Sequence, residues 1–266
     1  MKIILLGASG MLGTYIKSFF ERNEYELFCP GRNLLDASKN MTEEFFAKYV
    51  RRGNIIINCI GITNKKTWNT SNAYVYAVNS AFPKELSALC SKDGIKMFHI
   101  STDCVYSGKK GNYTELDKPD SMDIYGLSKW TGEPNDCAVI RTSILGESKT
   151  DNSELLQWVI SQKGEDVNGY LNHFWNGITC FRLAQILDFC ITEEVYWVGA
   201  KHIFSMPMNK HDVIELINDI YDLDINLKEI NADVAIDRTL STVRYDVEFP
   251  VSNIEEDLKE QKKYSL

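Results

Sequence analysis

Tyr125 and Lys129 stand four residues apart in the stretch Tyr125-Gly126-Leu127-Ser128-Lys129. On a helix, residues four apart share a face. A lysine ammonium beside a phenol stabilises the phenolate and lowers a tyrosine pKa from about 10 toward working pH. A general acid/base requires that. The spacing alone is common on surface helices, and a second group gives it weight. Ser101-Thr102-Asp103-Cys104-Val105-Tyr106 follows residues 96–100, which read as a strand. Hydroxyls at the carboxyl end of a strand lie where open α/β sheets bind ligands.

The third group is glycine-rich. Gly7-Ala8-Ser9-Gly10-Met11-Leu12-Gly13 follows the apolar residues 2–6 and opens a helical pattern over residues 11–20. Glycines at this spacing permit a tight turn and a close approach of backbone to a pyrophosphate. The phosphates then sit on a helix N-terminus, where free N–H groups and the dipole favour anions. An acid about 20 residues further on would grip a ribose 2′-hydroxyl and select NAD. Here the corresponding stretch is Cys29-Pro30-Gly31-Arg32-Asn33, with no acid. Arg32 suits a 2′-phosphate through charge-assisted hydrogen bonds, which favours NADPH, with NADH as the alternative. Asp36 is a candidate for the adenine edge.

These groups need a scaffold that gathers strand ends. Residues 54–60, Asn-Ile-Ile-Ile-Asn-Cys-Ile, read as a strand buried on both faces. Residues 25–28 and 139–142 read as further short strands, and residues 73–90 as a helix. Thr42 reads as a helix N-cap, with Glu43 and Glu44 in the first turn. Strand–helix alternation implies an α/β fold, a Rossmann-type doubly wound parallel sheet with helices on both faces. Residues 1–145 would form this dinucleotide-binding domain. Residues 146–266 would form a smaller α+β substrate lobe, with room for the chain to cross back to the sheet. Residues 107–121 read as a loop, 154–160 and 178–191 as helical, and 254–266 as a charged helix or tail. Pro134 stops the helix of Tyr125 and Lys129 early.

Composition narrows the class. With a net charge of −8 the chain as a whole lacks the basic surface of a non-specific nucleic-acid binder. A 44% hydrophobic content over 266 residues excludes disorder as the main state. No apolar run reaches the roughly 18 residues that span a bilayer, and the start reads as a strand, so a cytoplasmic protein with no membrane partner is expected. The seven cysteines form no CxxC pairs, as expected of reduced structural thiols. The four histidines lack ligand spacing, and no metal is expected.

Taken together, GASGMLG, STDCVY and YGLSKWTGE are similar to the extended short-chain dehydrogenase/reductases. More narrowly, the chain resembles the dTDP-4-dehydrorhamnose reductase (RmlD-like) family, supported by IINCIG, YAVNSAFP, VIRTSILG, HFWNGIT and IDRTL. The resemblance runs from residue 1 to about residue 240. It implies that Gly7, Gly10, Met11, Leu12 and Gly13 hold the pyrophosphate. Cys59, Ile60 and Gly61 match the loop after the family's fourth strand, which flanks the cofactor. Tyr125 matches the catalytic tyrosine, and Lys129 its partner, which also binds the nicotinamide ribose. Thr102 matches the hydroxyl residue on the substrate carbonyl, and Asp103 and Cys104 lie beside the sugar. Asn79 matches an asparagine that is structural or close to the cofactor. Trp175, within residues 173–177, matches a region near the nucleotide sugar. Arg182 and Lys163 are candidates for its diphosphate.

The implied reaction is reduction of the 4-keto group of a dTDP- or UDP-linked 4-keto-6-deoxyhexose by NADPH, in deoxysugar or polysaccharide biosynthesis. A homodimer is implied by the superfamily. The related 4,6-dehydratases use an Asp-Glu pair after the threonine. Asp103-Cys104 stands there instead, and a thiol is a poor substitute for the acid. The 4-epimerases are longer and carry an acid where Arg32 stands. Three alternatives remain: a 3,5-epimerase/4-reductase, a reductase of a UDP-linked N-acetylated deoxysugar, and a non-catalytic regulatory subunit of the methionine adenosyltransferase type.

Overall fold

Alternate residues of the apolar runs face opposite sides of one sheet. Ile3, Leu5, Ile55 and Ile57 enter one core, while Ile4, Leu6 and Ile56 enter a second. All seven side chains are buried, so both sheet faces must be covered. The structure, a computed structural model, describes residues 2–39, 41–148 and 154–264. The final two residues of the expected charged helix lie outside them.

The first half runs β1 (Ile3–Leu6), α1 (Met11–Arg22), β2 (Leu27–Phe28), α2 (Thr42–Tyr49), β3 (Ile55–Asn58), α3 (Asn64–Thr67), α4 (Asn72–Tyr76), α5 (Phe82–Asp93) and β4 (Lys96–Ile100). Next come α6 (Ile124–Gly132), β5 (Ala138–Arg141), β6 (Ile144–Leu145), α7 (Leu155–Ile160), β7 (Asp166–Tyr170), β8 (His173–Trp175) and β9 (Ile178–Thr179). The remainder is α8 (Cys180–Thr192), β10 (Gly199–His202), β11 (Met208–Asn209), α9 (Lys210–Tyr221), β12 (Asn226–Ile230), β13 (Ile236–Asp237) and α10 (Ile254–Lys263).

The main sheet has six strands in the order β10-β5-β4-β3-β1-β2. Every pairing in it is parallel. One face is covered by α1 and α8, through Leu12, Ile16 and Phe20 against Leu183 and Leu187. The other is covered by α2 and α5, through Phe45, Phe46, Phe82 and Leu86. The chain winds outward from β1 to β2, then returns past β1 to β3. Between β1 and β3 lies the switch point where such sheets open a crevice at their carboxyl ends. The resemblance counts β3 as a fourth strand; in this chain it is the third.

Three local expectations change. Thr42 begins α2 rather than capping it, and Met41 is the N-cap. Packing of α2 against α5 offers the Thr42 hydroxyl a better acceptor, Glu85 Oε2 at 2.9 Å. The expected helix over residues 73–90 is interrupted by a π-helical turn, Ala77–Ala81. A π-turn inserts an extra residue, which re-aims side chains and recurs at functional sites. The helical pattern from residue 178 starts instead as β9, with Thr179 Oγ1 capping α8 by accepting from Arg182 N at 3.0 Å.

The C-terminal part lies in two places. α8 and β10 belong to the main sheet and its core. A third core joins Leu156 and Val159 of α7, Trp175 of β8, Val213 and Ile217 of α9, and Leu258 of α10. Small ladders complete it: β11-β8-β13, β12-β7 and β6-β9. No helix among the described residues is long and apolar enough to cross a membrane.

α6 approaches the π-turn closely enough that only glycine fits at the contact. A Cβ on Gly132 would stand 1.9 Å from Asn79 O. Gly132→Ala must push α6 outward, at a cost of about 1–3 kcal/mol, the usual range for overpacking. Urea denaturation is expected to show that loss.

Candidate active site

The glycine turn is built by contact with its neighbours. Gly7 has φ +80°, and a Cβ there would stand 2.9 Å from the Cys59 carbonyl carbon. A Cβ on Gly13 would stand 2.1 Å from Gly7 O, so α1 packs against the turn only because residue 13 is glycine. Gly10 is the N-cap of α1 and makes no side-chain capping bond. The first-turn N–H groups therefore lack an intrahelical partner, and Gly10, Met11, Leu12 and Gly13 line the cleft. Such donors at a helix N-terminus fit a diphosphate.

Two connected clefts meet here. The larger, about 800 Å³, runs from Gly10–Gly13 past Cys59, Ile60 and Gly61 to Thr102, Asp103, Cys104, Tyr125 and Lys129. The smaller, about 500 Å³, runs from Gly7 to Arg32, Asp36 and Tyr74. They share Ser9, Gly10, Cys59, Ile60, Gly61 and Ile62, so the groove passes over the switch point. That length and shape suit a dinucleotide with a substrate beyond it.

Arg32 is exposed on the rim of the smaller cleft. Its Nε donates to Asp36 Oδ2 at 3.0 Å and its Nη2 to Tyr74 OH at 2.7 Å. Asp36 also accepts from the Ser38 backbone at 3.0 Å and from the Ser38 hydroxyl at 2.7 Å. These bonds, those from Ser38 first, hold its carboxyl down to about 2. Asp36 thus steadies Arg32 and the local turn, and it lines the smaller cleft beside Arg32.

At the other end, α6 starts at Asp123, whose Oδ1 accepts from Gly126 N at 2.8 Å. Tyr125 and Lys129 follow one turn apart. Lys129 is buried, and its Nζ donates to Ile100 O at 2.7 Å, where β4 ends. Burial pulls the ammonium down to about 8, against the attraction of Glu133. Tyr125 departs from expectation. Burial pushes its phenol well above the ordinary range, and a hydrogen bond with Thr102 only partly offsets this. Lys129 donates to the Ile100 carbonyl, and burial outweighs any lowering of the Tyr125 phenol. Tyr125 is therefore a protonated phenol at neutral pH. Burial likewise pushes the Cys59 and Cys104 thiols up to about 12, which leaves both as weak, un-ionised groups.

Buried polar networks hold these groups. Asn79 in the π-turn accepts from Ile62 N at 2.7 Å, and its Nδ2 donates to Ile62 O and Ser128 Oγ, each at 3.0 Å. It clamps the turn after β3 to α6. Asn58 Oδ1 accepts from Ile60 N at 3.1 Å and shapes the same turn. Arg141 at the end of β5 donates to Glu133 through Nη2 at 2.7 Å and to Tyr106 OH at 2.7 Å. Ser101 Oγ donates to the same Glu133 at 2.5 Å. Arg141 and Glu133, both buried, lie within the quoted stretches VIRTSILG and YGLSKWTGE, but nothing in their spacing signals that they pair.

Several expected residues lie elsewhere. Trp175 is buried in the third core and does not line the cleft. Arg182 on α8 donates to Gln185, and Lys163 is an exposed turn residue; neither lines either cleft. Two cations given no role above stand near Asp103 instead, Lys210 and, within IDRTL, Arg238. Lys210 stands 5.0 Å over the Trp175 ring, and Arg238 Nε donates to Tyr106 O at 3.1 Å. Both act on buried Asp103: burial pushes its carboxyl up, and Arg238 and Lys210 pull it back. His211, Asp212 and Glu215 on α9 bring their ligand atoms within 4.8 Å of one another, an arrangement common without an ion.

A family model described as the RmlD substrate binding domain matches residues 1–165. The chain belongs to this family. It is 27% identical over 153 residues to the dTDP-4-dehydrorhamnose reductase of Mycobacterium tuberculosis, covering 53% of this chain and 49% of that one. It thus spans about half the length of the curated reductases it first matches. It is 24% identical over 253 residues to methionine adenosyltransferase 2 subunit beta of Rattus norvegicus, covering 84% and 72%. In fold it is similar to the dTDP-4-dehydrorhamnose reductase of Bacillus anthracis solved in complex with NADP, with a TM-score of 0.84 at 19% identity over 99% of both chains. The mostly parallel, helix-flanked sheet is shared with that structure.

Removing one partner of the Arg141–Glu133 pair strands a buried charge. Arg141→Met is expected to cost about 3–5 kcal/mol. Adding Glu133→Leu should recover part of that loss in chemical denaturation.

Proposed function

We propose that this chain is an NADPH-dependent reductase of the 4-keto group of a nucleotide-linked 4-keto-6-deoxyhexose, of the dTDP- or UDP-4-dehydrorhamnose type, in deoxysugar or polysaccharide biosynthesis. The observation that carries this reading is the convergence of Thr102, Tyr125 and Lys129 on one cleft continuous with the glycine turn. The family membership and the names of the relatives support it.

Gly10–Gly13 would hold the diphosphate of the cofactor, and Arg32 the 2′-phosphate. When bound, the nicotinamide supplies the hydride to the ketone carbon. Negative charge then grows on the ketone oxygen. Tyr125, a protonated phenol, gives that oxygen its proton, and Thr102 steadies it by a hydrogen bond. Lys129 holds a positive charge at the seam between the β3 turn and β4, where the nicotinamide ribose would lie. The likeness to the rat subunit beta favours a second, non-catalytic reading. Retention of all three groups in one cleft favours the enzyme.

Turnover is read as loss of 340 nm absorbance with NADPH and dTDP-4-keto-rhamnose, beside UDP-linked and N-acetylated counterparts. Tyr125→Phe is expected to lose at least about 100-fold in kcat. NADPH binding without turnover of any of these ketones would reject the enzyme and leave the non-catalytic reading. Arg32→Ala is expected to raise the KM for NADPH about 10-fold or more while sparing that for NADH.

A pH profile tests the charge on Lys129. Its folded pKa is depressed to about 8, so the ammonium is present below that pH and lost above it. Tyr125 stays protonated over the same range. Reduction should therefore be level near neutrality, with kcat/KM falling above about pH 8. An acidic rather than alkaline limb would contradict this assignment.

A further inference from the structure

The two clefts meet over the turn after β3, and its backbone is held from beneath. Ile60 N donates to Asn58 Oδ1 at 3.1 Å. A backbone N–H can only donate, so this bond fixes which end of the Asn58 amide faces the turn. Asn58 Nδ2 then points the other way and lies 3.1 Å from His99 Nδ1. An amide NH2 only donates as well, so Nδ1 must accept. The ring proton of a neutral His99 therefore sits on Nε2.

Nothing else is placed to take over that acceptor's task. Asn58 on β3 stands beside His99 on β4 in the parallel register. Asn58 is fully buried and His99 is 1% exposed, which keeps bulk water from replacing a lost partner. His99 Nε2 has no protein partner among the described residues, so the ring is bonded through Nδ1. Burial and the nearby Lys129 ammonium both disfavour the imidazolium. A protonated ring would also set Nδ1–H against the Asn58 NH2, donor against donor. His99 itself lines neither cleft.

We propose that His99 is a positioning residue for the cofactor, acting through its bare Nδ1: it holds Asn58, and Asn58 holds the floor formed by Ile60 and Gly61. Both floor residues border both clefts, so they would lie under the middle of a bound dinucleotide, away from Arg32. Loss of the Nδ1 acceptor strands a buried NH2, which is costly. The Asn58 amide then turns toward another acceptor, and Ile60 N loses its own. The penalty falls on cofactor binding and is shared by NADPH and NADH, whereas that of Arg32 falls on NADPH. The cofactor-binding part of the function proposed above is the reading on which this inference rests.

The test uses the full chain. Calorimetry with NADP+ and with NAD+ should show His99→Leu binding both about 10-fold more weakly, the effect of one lost buried hydrogen bond. His99→Asn, whose side-chain oxygen falls close to the place of Nδ1, should restore both to within about 3-fold of wild type. In turnover, His99→Leu should raise KM for NADPH in step with the weaker binding, with kcat held within about 3-fold. Nitrogen NMR of the imidazole rings reads the tautomer without any cofactor, the His99 signal being the one lost in His99→Asn. Wild type should show a bare Nδ1 and a protonated Nε2 at neutral pH. Asn58→Asp, whose carboxylate offers no donor, should move the proton to Nδ1. A protonated Nδ1 in wild type overturns the inference even where His99→Leu does not fold. Unchanged binding in folded His99→Leu, or a loss confined to NADP+, overturns it too. The expected binding and NMR results without turnover of any ketone reject the reductase and leave His99 in its role. Wild type that binds neither dinucleotide removes both.

Discussion

Arg141 places a full positive charge inside the protein, at the carboxyl end of a central strand, and the loops around the cleft are arranged to satisfy it. Its guanidinium reaches Glu133, just past the end of α6, and Tyr106, at the end of the hydroxyl-bearing turn. Glu133 in turn receives Ser101, beside Thr102. One buried ion pair therefore fixes the far end of the helix carrying Tyr125 and Lys129, and both ends of residues 101–106. A buried pair of this kind is weak evidence for stability. Its value here is positional, since a planar fork admits few arrangements of its partners.

The molecule is divided between an apolar frame and a polar rim. The lower parts of β1, β3 and β4 are filled with Ile, Leu, Met and Phe on both faces. Toward the carboxyl ends, Asn58, His99, Thr102, Asp103 and Lys129 are buried as well. Burial lowers the pKa of Lys129 and raises that of Tyr125 by the same cause, the penalty on charge in a medium poorer than water. The frame tolerates that penalty through apolar packing elsewhere. The protonation states of Tyr125 and Lys129 thus share one physical origin.

Local signals were legible, and distant ones were not. The glycine turn and the Tyr125–Lys129 spacing are covalently local, so strand, turn and helix follow from short stretches of chain. The clamp by Asn79 depends on a π-turn, which has the same apolar pattern as an ordinary helix. Lys210 and Arg238 reach Asp103 only because α9 and β13 fold beside it, and no spacing in the chain encodes that. The resemblance places Trp175 near the nucleotide sugar, whereas its burial in the third core follows from the packing of α7, α9 and α10 around it, which no local spacing encodes. Helical spacing puts Tyr125 and Lys129 on one face, but it does not foretell that burial raises the phenol or that the Ile100 carbonyl accepts from the ammonium.

The return of β10 to the main sheet bears on the order in which the protein can assemble. β5 lies next to β10 and reaches its partner only after β6, the intervening helix α7, strands β7 to β9 and α8 have been made. During synthesis one edge of a parallel, strongly apolar sheet is thus open, and open edges invite pairing with the wrong chain. The pairing that closes it is also among the longer-range ones, whose loop-closure entropy slows folding. Lys210 and Arg238, which follow β10 in the chain, therefore come to Asp103 only after the strand that covers β5.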